Sequence, residues 1–307
     1  MNKFLCLLFV IVQFYSISYA DSTKTILKVN SYEQNSNNYE IASPFHSPQL
    51  KKTTIWQDLG SDLKYFATDW GAYLTLPLRM NGKDFIYAGT VIGGTVLIST
   101  LDKEVRNAVS QQGHSDFNND FWDIPSAYGQ IQYPALFGAC LYTAGLFTRQ
   151  TEIRKTGRML VQALIYSGTL GLGIKYVLGR VRPYASVSGS QYEFKWFETS
   201  EDAQAFPSGH AIVAMATSTV LAEKINTWWA RAILYPFALM TGYSRIYNDK
   251  HWLSDVVFGA ALGYGTGMFV LHQEERREKD DKKKVKNTGS GLNFFPTMTG
   301  FGFTWGF

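Results

Sequence analysis

Cysteine is nearly missing from this sequence: only Cys6 and Cys140 occur, and Cys6 falls inside an apolar run at the N-terminus. One cysteine outside that run excludes an intramolecular disulfide, so stability must come from packing. Cys140 lies in an apolar stretch and reads as core filler rather than nucleophile. Histidine is scarce too, and His46, His114 and His272 stand at no ligand spacing with carboxylates. Strong charge of one sign is also lacking. A formal net charge of +4 over 307 residues is too small to argue for nucleic acid. It suits an anionic substrate or an anionic membrane surface equally well. No internal repeat is evident.

What the chain has in quantity is apolar sequence: 46% of residues are hydrophobic and 15% aromatic. That is enough for a sizeable core in one large domain or two small ones. Met1-Asn2-Lys3, an apolar run over residues 4–17 and then Ser18-Tyr19-Ala20 have the layout of a secretory signal peptide cleaved before Asp21. The run is shorter than the ~20 residues that span a bilayer, which disfavours an uncleaved anchor. Residues 21–60 are rich in Ser, Asn, Thr and Lys and read as a flexible leader.

From about Leu63 the chain is a series of apolar segments: a weak one over 63–78, then 85–100, 133–147, 159–178, 211–222, 228–243 and 256–271. Each is too long for an ordinary strand and lacks turn signals, which predicts helices. Gly89 and Gly93, and Gly259, Gly263 and Gly267, recur at four-residue spacing. Such stripes let helices approach closely, in a membrane bundle or in a tightly packed soluble one. Residues 274–290 form a charged linker or solvated helix end, with seven basic and five acidic residues between Glu274 and Lys286. Residues 291–307 alternate aromatic with small side chains and predict a terminal strand or hairpin.

Three clusters assemble phosphate-handling chemistry. Lys175 is followed by Arg182-Pro183: lysine offers a point charge, and arginine a planar fork that matches two phosphate oxygens. Arg180 adds a further charge. Pro207-Ser208-Gly209-His210 leads into an apolar helix, with Ser208 as N-cap and Gly209 admitting a ligand close to the backbone. Free amides at a helix start bind anions, and His210 stands there to move a proton. Ser244-Arg245, His251 and Asp255 form the third cluster. His251 and Asp255 are one helical turn apart, so the carboxylate is placed to fix the imidazole tautomer and leave the other nitrogen nucleophilic. Taken singly, each cluster also reads as an ordinary capped or solvated helix end. Asp102 reads as a helix-end residue, and Tyr243 and Trp252 as core packing beside the third cluster.

Together, Lys175…Arg182-Pro183, Pro207-Ser208-Gly209-His210 and Ser244-Arg245…His251…Asp255 resemble the signature of the type-2 phosphatidic acid phosphatase and vanadium haloperoxidase superfamily. The resemblance covers residues 61–273. It implies an all-α fold, a six-helix bundle of that type, here with a short β-like C-terminal segment. It also implies a metal-independent phosphatase acting through a phosphohistidine intermediate, with no cofactor. Lys175, Arg182 and Arg245 would hold the phosphoryl oxygens, helped by the amides of Ser208 and Gly209. His251 would attack phosphorus, Asp255 would orient it, and His210 would protonate the leaving group.

Within that resemblance the leading expectation is a phosphatase of a lipid phosphate or diphosphate, such as phosphatidic acid, phosphatidylglycerol phosphate, undecaprenyl diphosphate or a lipid A phosphate. A soluble periplasmic nonspecific acid phosphatase is the alternative, and a vanadium haloperoxidase with vanadate on His251 ranks third. The basic loop 149–158 and the basic tail predict a membrane-associated enzyme of the bacterial cell envelope with its site facing the periplasm.

Overall fold

Local capping starts the helices where apolar periodicity begins. A computed structural model of the chain describes residues 54–111, 115–289, 292–297 and 300–305; the expected signal peptide and most of the leader lie outside them. Helix α1 (Ile55–Leu74) opens on a capping box in which Thr54 and Gln57 satisfy each other's backbone amides. Asn81 and Asp84 do the same for α2 (Gly82–Ser99). After α3 (Asp102–Ser110) and α4 (Asp116–Tyr128) come α5 (Gln132–Thr148), α6 (Thr151–Leu178), α7 (Gly209–Ile225), α8 (Trp228–Tyr247) and α9 (Leu253–Gly289). Strands β1 (Leu292–Thr297) and β2 (Gly300–Trp305) pair antiparallel, Phe294 opposite Phe303.

The fold is all-α with a terminal hairpin, and every apolar segment becomes a helix. The described residues hold nine α-helices rather than six. The additional α3 and α4 are polar in sequence and carry no long apolar run. Helix α1 starts at Ile55, inside the expected leader, because its cap is at Thr54. Of the two readings of the charged stretch, the helix end holds and the linker does not: it continues α9 to Gly289, and its alternating charges suit a solvated helix.

Tight backbone packing joins the helices. A Cβ at Gly263 would lie 2.4 Å from the Ile212 carbonyl oxygen, and one at Gly259 would lie 2.7 Å from that of Ser208. The Gly259–Gly263–Gly267 stripe is thus the seam between α9 and α7. Gly89 and Gly93 face open space. The core between α6, α7, α8 and α9 contains Met159, Leu160, Tyr166, Val220, Leu234 and Val270.

Outward, the helices are apolar. Phe85, Ile86, Ile92, Val96 and Leu97 of α2, Leu136 and Phe147 of α5, and Leu172 of α6 are exposed. Cys140 is exposed as well, not core filler, because this apolar part of α5 faces away from the bundle. Helices α6 and α9 are long and apolar enough to cross a membrane. A third span results if α2 and α3, bent by 54°, count as one. Such an outer surface in place of a polar one marks a membrane-associated bundle.

The two ends of the bundle differ. At one end, where α6 begins, Asp58, Asp62 and Asp69 of α1 meet Arg154 and Arg158 of α6 and Glu274 and Arg277 of α9 in a partly buried ionic network. At the other end, α6 and α8 finish and α3, α7 and α9 start.

Candidate active site

The second end collects the three sequence clusters. Helix α6 must stop there abruptly, and Gly179 stops it in the left-handed conformation (φ 54°). A Cβ at Gly179 would overlap the Lys195 carbonyl, so only glycine fits. The chain then doubles back. Lys195 N–H donates to the Gly179 oxygen (2.8 Å) and Val181 N–H to the Glu193 oxygen (2.9 Å), which fixes Arg180 and Arg182 at the mouth of the bundle.

Lys175, in the last turn of α6, donates to the Gln204 carbonyl at 2.5 Å. Arg182 pairs with the exposed Glu201 at 3.0 Å, and Arg245, at the end of α8, donates to Ser126 Oγ of α4 at 3.0 Å. The Nε of Arg182 and the Nε of Arg245 are buried with no hydrogen-bond partner. A buried donor left unmade costs about 1–3 kcal/mol, so this pair of unmade bonds marks where an anion gains the most. Burial, and then the charge of Arg182, lower the Arg245 guanidinium to about 10, a sign that the two cations face one space.

Ser208 caps α7, its hydroxyl accepting from Ala211 N–H. Its own amide is engaged, donating to the Asp255 carbonyl at 3.0 Å. The expectation that the Ser208 amide cradles phosphate is therefore corrected: that amide ties α7 to α9. Gly209, first residue of α7, has open space where a Cβ would be and is the position a ligand reaches. Burial, then the charges of Arg245, His251, Arg182 and Lys175, push His210 down to about 3, so all four groups converge on it.

His251 lies between α8 and α9 in a loop set by Asp249, whose left-handed backbone (φ 54°) is clamped by a two-pronged pair with Arg106 of α3 at 2.7 Å. Its Nδ1 lies 2.7 Å from the Ala205 carbonyl oxygen. A carbonyl only accepts, so Nδ1 carries the proton and Nε2 holds the free lone pair. Asp255 is 3.7 Å from Nδ1, beyond hydrogen-bond length. The expected His251–Asp255 hydrogen bond is thus corrected: Ala205 fixes the tautomer. Asp255 instead accepts from Arg180 Nη1 (2.5 Å) and from Trp252 N–H (2.8 Å).

Arg180 is held on its far side by Asp102, at 2.7 Å, and Asp102 also accepts from the amide and hydroxyl of Ser254. Asp102 does begin a helix, but it is fully buried and braces the third cluster. Sequence reasoning missed this, as it missed Ser126 and the Ala205 carbonyl. Asp102 is 78 residues from Arg180, and a backbone oxygen leaves no side-chain signal. Trp252 is buried, its Nε1–H donating to the Val181 carbonyl; the Tyr243 ring packs tilted against Trp122, centroids 4.5 Å apart.

The electrostatics set a pH window. Burial, reinforced by Lys175 and Arg245 and opposed by Asp255, lowers His251 to about 4. The lone pair on Nε2 is therefore present above about pH 4 and is lost as pH falls through it. His210 is neutral in the empty site, so if the site acts on a phosphate ester, the proton for the leaving group would have to arrive with the substrate, whose monoanion exists below about pH 6. A plot of kcat/KM against pH is expected to be a bell with limbs near 4 and near 6. An acid limb near 6.5 instead would show that His251 is not desolvated.

A cavity of about 240 Å³ opens at the opposite end, between Met159, Lys224, Met268 and Glu274. Glu223, Glu274, Glu275 and Glu278 line it, which makes it unsuited to an anion. Among the described residues, no group of three or more His, Cys, Asp or Glu side chains is placed to hold a metal ion.

Several known proteins are similar to this chain. The chain is 34% identical over 116 residues to a lipid A 1-phosphatase of Porphyromonas gingivalis, covering 36% of this chain and 23% of the relative. It is 32% identical over 111 residues to an undecaprenyl-diphosphatase of Sulfolobus acidocaldarius, covering 36% and 51%. The chain thus spans about a quarter and about half of these relatives. A transmembrane phosphatidylglycerolphosphate phosphatase from Bacillus subtilis is similar at 17% identity and TM-score 0.48, over 61% of this chain and 95% of that one. Residues 157–279, which carry all three clusters, match the model of the PAP2 superfamily.

Proposed function

We propose that the protein is a metal-independent phosphatase that hydrolyses a phosphomonoester or diphosphate of a lipid through a phosphohistidine. One observation carries the reading: two buried arginine Nε donors from different elements lack partners beside a buried histidine whose Nε2 lone pair is left free by a backbone acceptor. Phosphoryl oxygens would supply those partners, with Lys175 and the Gly209 amide closing the cradle.

His251 Nε2 attacks phosphorus, and an N–P bond forms as the P–O bond to the leaving group breaks. His210, having taken up the proton that the substrate monoanion brings, passes it to that oxygen and is left neutral. Water then attacks the phosphohistidine, its proton passes to His210, the N–P bond breaks, and inorganic phosphate leaves with His251 neutral again. The Asp255 charge, 3.7 Å away, favours the positive ring of the intermediate.

The exposed apolar belt and the lipid phosphatases among the relatives support a lipid substrate. The expected basic loop 149–158 is mostly the first turns of α6, and these and the basic end of α9 sit opposite the site, which supports an outward-facing, periplasmic site. Thr54, at the start of α1, lies at that basic end too, since Asp58 pairs with Arg149 and Arg154. Removal of a signal before Asp21 and an outward-facing site therefore hold together only if residues 21–53, which lack an apolar run, cross the membrane. N-terminal sequencing of the purified protein tests this: an intact N-terminus fits the outward-facing site.

The test of function is phosphate release in detergent with EDTA, from a lipid diphosphate and from a small aryl phosphate. Release from the lipid substrate is the expected result. Release from the aryl ester alone, by a protein extracted without detergent, would replace this reading with that of a soluble acid phosphatase. Release from neither would sink it.

A further inference from the structure

Between Arg182 and Pro207 the chain makes a strap that contributes the Ala205 and Gln204 carbonyls to the site and is otherwise unexplained. Its middle is strongly aromatic and turned outward: Tyr192, Phe194, Trp196 and Phe197 are all exposed, the last two at 61% each, and Val187 is 98% exposed. Single apolar side chains on a surface are ordinary, but a contiguous set is not. The Phe194 and Trp196 rings stack at 6.0 Å, and Phe197 meets Tyr176, on the last turn of α6, at 5.7 Å. Phe197 also holds a left-handed backbone (φ 60°), uncommon for a bulky residue and kept only where the surroundings demand it.

The strap is rigidly joined to the catalytic end. Besides the Gly179 and Val181 bonds, Phe197 N–H reaches the Val177 oxygen at 3.4 Å and Arg180 Nη2 reaches the Gln191 oxygen at 2.7 Å. The same Arg180 braces Asp255. The aromatic patch is also continuous with a membrane-facing surface. Tyr176, Val177 and Leu172 are exposed on α6, one of the helices able to cross a membrane. Twenty-eight residues make α6 about 42 Å long against a hydrocarbon core of about 30 Å, so its last turns emerge among the headgroups. Tryptophan and tyrosine favour that layer because one end of the ring system is apolar and the other can be wet.

We infer that the strap around Tyr192–Phe197 is a membrane-interface anchor. It inserts Phe194, Trp196 and Phe197 between lipid headgroups and holds the phosphate cradle at the depth of the lipid phosphates. The inference rests on the membrane-associated phosphatase reading and adds the surface that seats the site.

Full-length protein in liposomes tests it through tryptophan fluorescence, taking the difference between wild type and Trp196→Phe as the Trp196 signal. Lipids brominated near the headgroup are expected to quench that signal more than lipids brominated near the chain ends, and aqueous iodide to quench it weakly. Strong quenching by iodide with none by brominated lipid would overturn the anchor, because Trp196 would then stand in water. Shielding from both quenchers would overturn it too, since a protein contact would then cover the strap. As a second variant, Trp196→Ser with Phe197→Ser should lower kcat/KM several-fold for a lipid substrate in liposomes and leave hydrolysis of a water-soluble aryl phosphate unchanged. An equal loss on both substrates would assign the strap to folding of the site and overturn the anchor. Failure of wild type to release phosphate from any ester would instead strike the phosphatase reading, while the quenching result would stand on its own.

Discussion

Replacing His251 with glutamine is expected to abolish phosphate release, by on the order of 10³-fold or more, while the protein stays folded. The side chain is buried and its Nδ1–H satisfies the Ala205 carbonyl. Alanine would leave that oxygen without a partner, at a cost of about 1–3 kcal/mol, and so mix a stability loss into the readout. A glutamine amide can still donate to Ala205, but its nitrogen lone pair is delocalised into the carbonyl and is not nucleophilic. The expected signature is a fall in kcat with an unchanged denaturation midpoint in detergent. Residual activity above a few per cent would mean that another group is the nucleophile.

The largest effect on stability is expected at Asp102, which was read from sequence as no more than a helix end. Its carboxylate accepts from Arg180 Nη2 at 2.7 Å, from Ser254 N–H at 2.8 Å and from Ser254 Oγ at 2.6 Å, all buried. Asp102→Ala removes the acceptor of three hydrogen bonds at once and leaves the Arg180 charge half-compensated. Breaking one side of a buried ion pair costs about 3–5 kcal/mol, whereas pairs at the surface contribute under about 1 kcal/mol. The denaturation midpoint should fall accordingly, and Asp255, which shares Arg180, should lose its position, so kcat falls as well. A stability change below about 0.5 kcal/mol would show that the Asp102–Arg180–Asp255 chain does not hold the site.

Much of this arrangement could be read from the residues. Helices followed from uninterrupted apolar segments, but the end of α9 did not: the helix runs on through the charged stretch to Gly289. The three clusters come together because each sits at a helix terminus and the helices alternate in direction. Contacts made by atoms without a sequence signature were not legible. The engaged Ser208 amide, the Ala205 carbonyl that displaces Asp255 from His251, and the Asp102 brace depend on how separate helices meet. Cys140 shows the same limit: an apolar stretch reads as core, yet an apolar helix beside a membrane buries little of itself. The glycine stripes show it again, since only the one on α9 has a partner helix.

The central claim is a covalent phosphohistidine on His251, and the most direct test is to trap it. Protein mixed with a substrate labelled on the transferred phosphoryl group, quenched in alkali within milliseconds and digested, should give one labelled peptide spanning His251. The label should be stable to base, lost in acid and absent in His251→Gln. A wild-type enzyme that turns over with no label on any histidine, or a His251→Gln variant that still acquires it, would contradict the account.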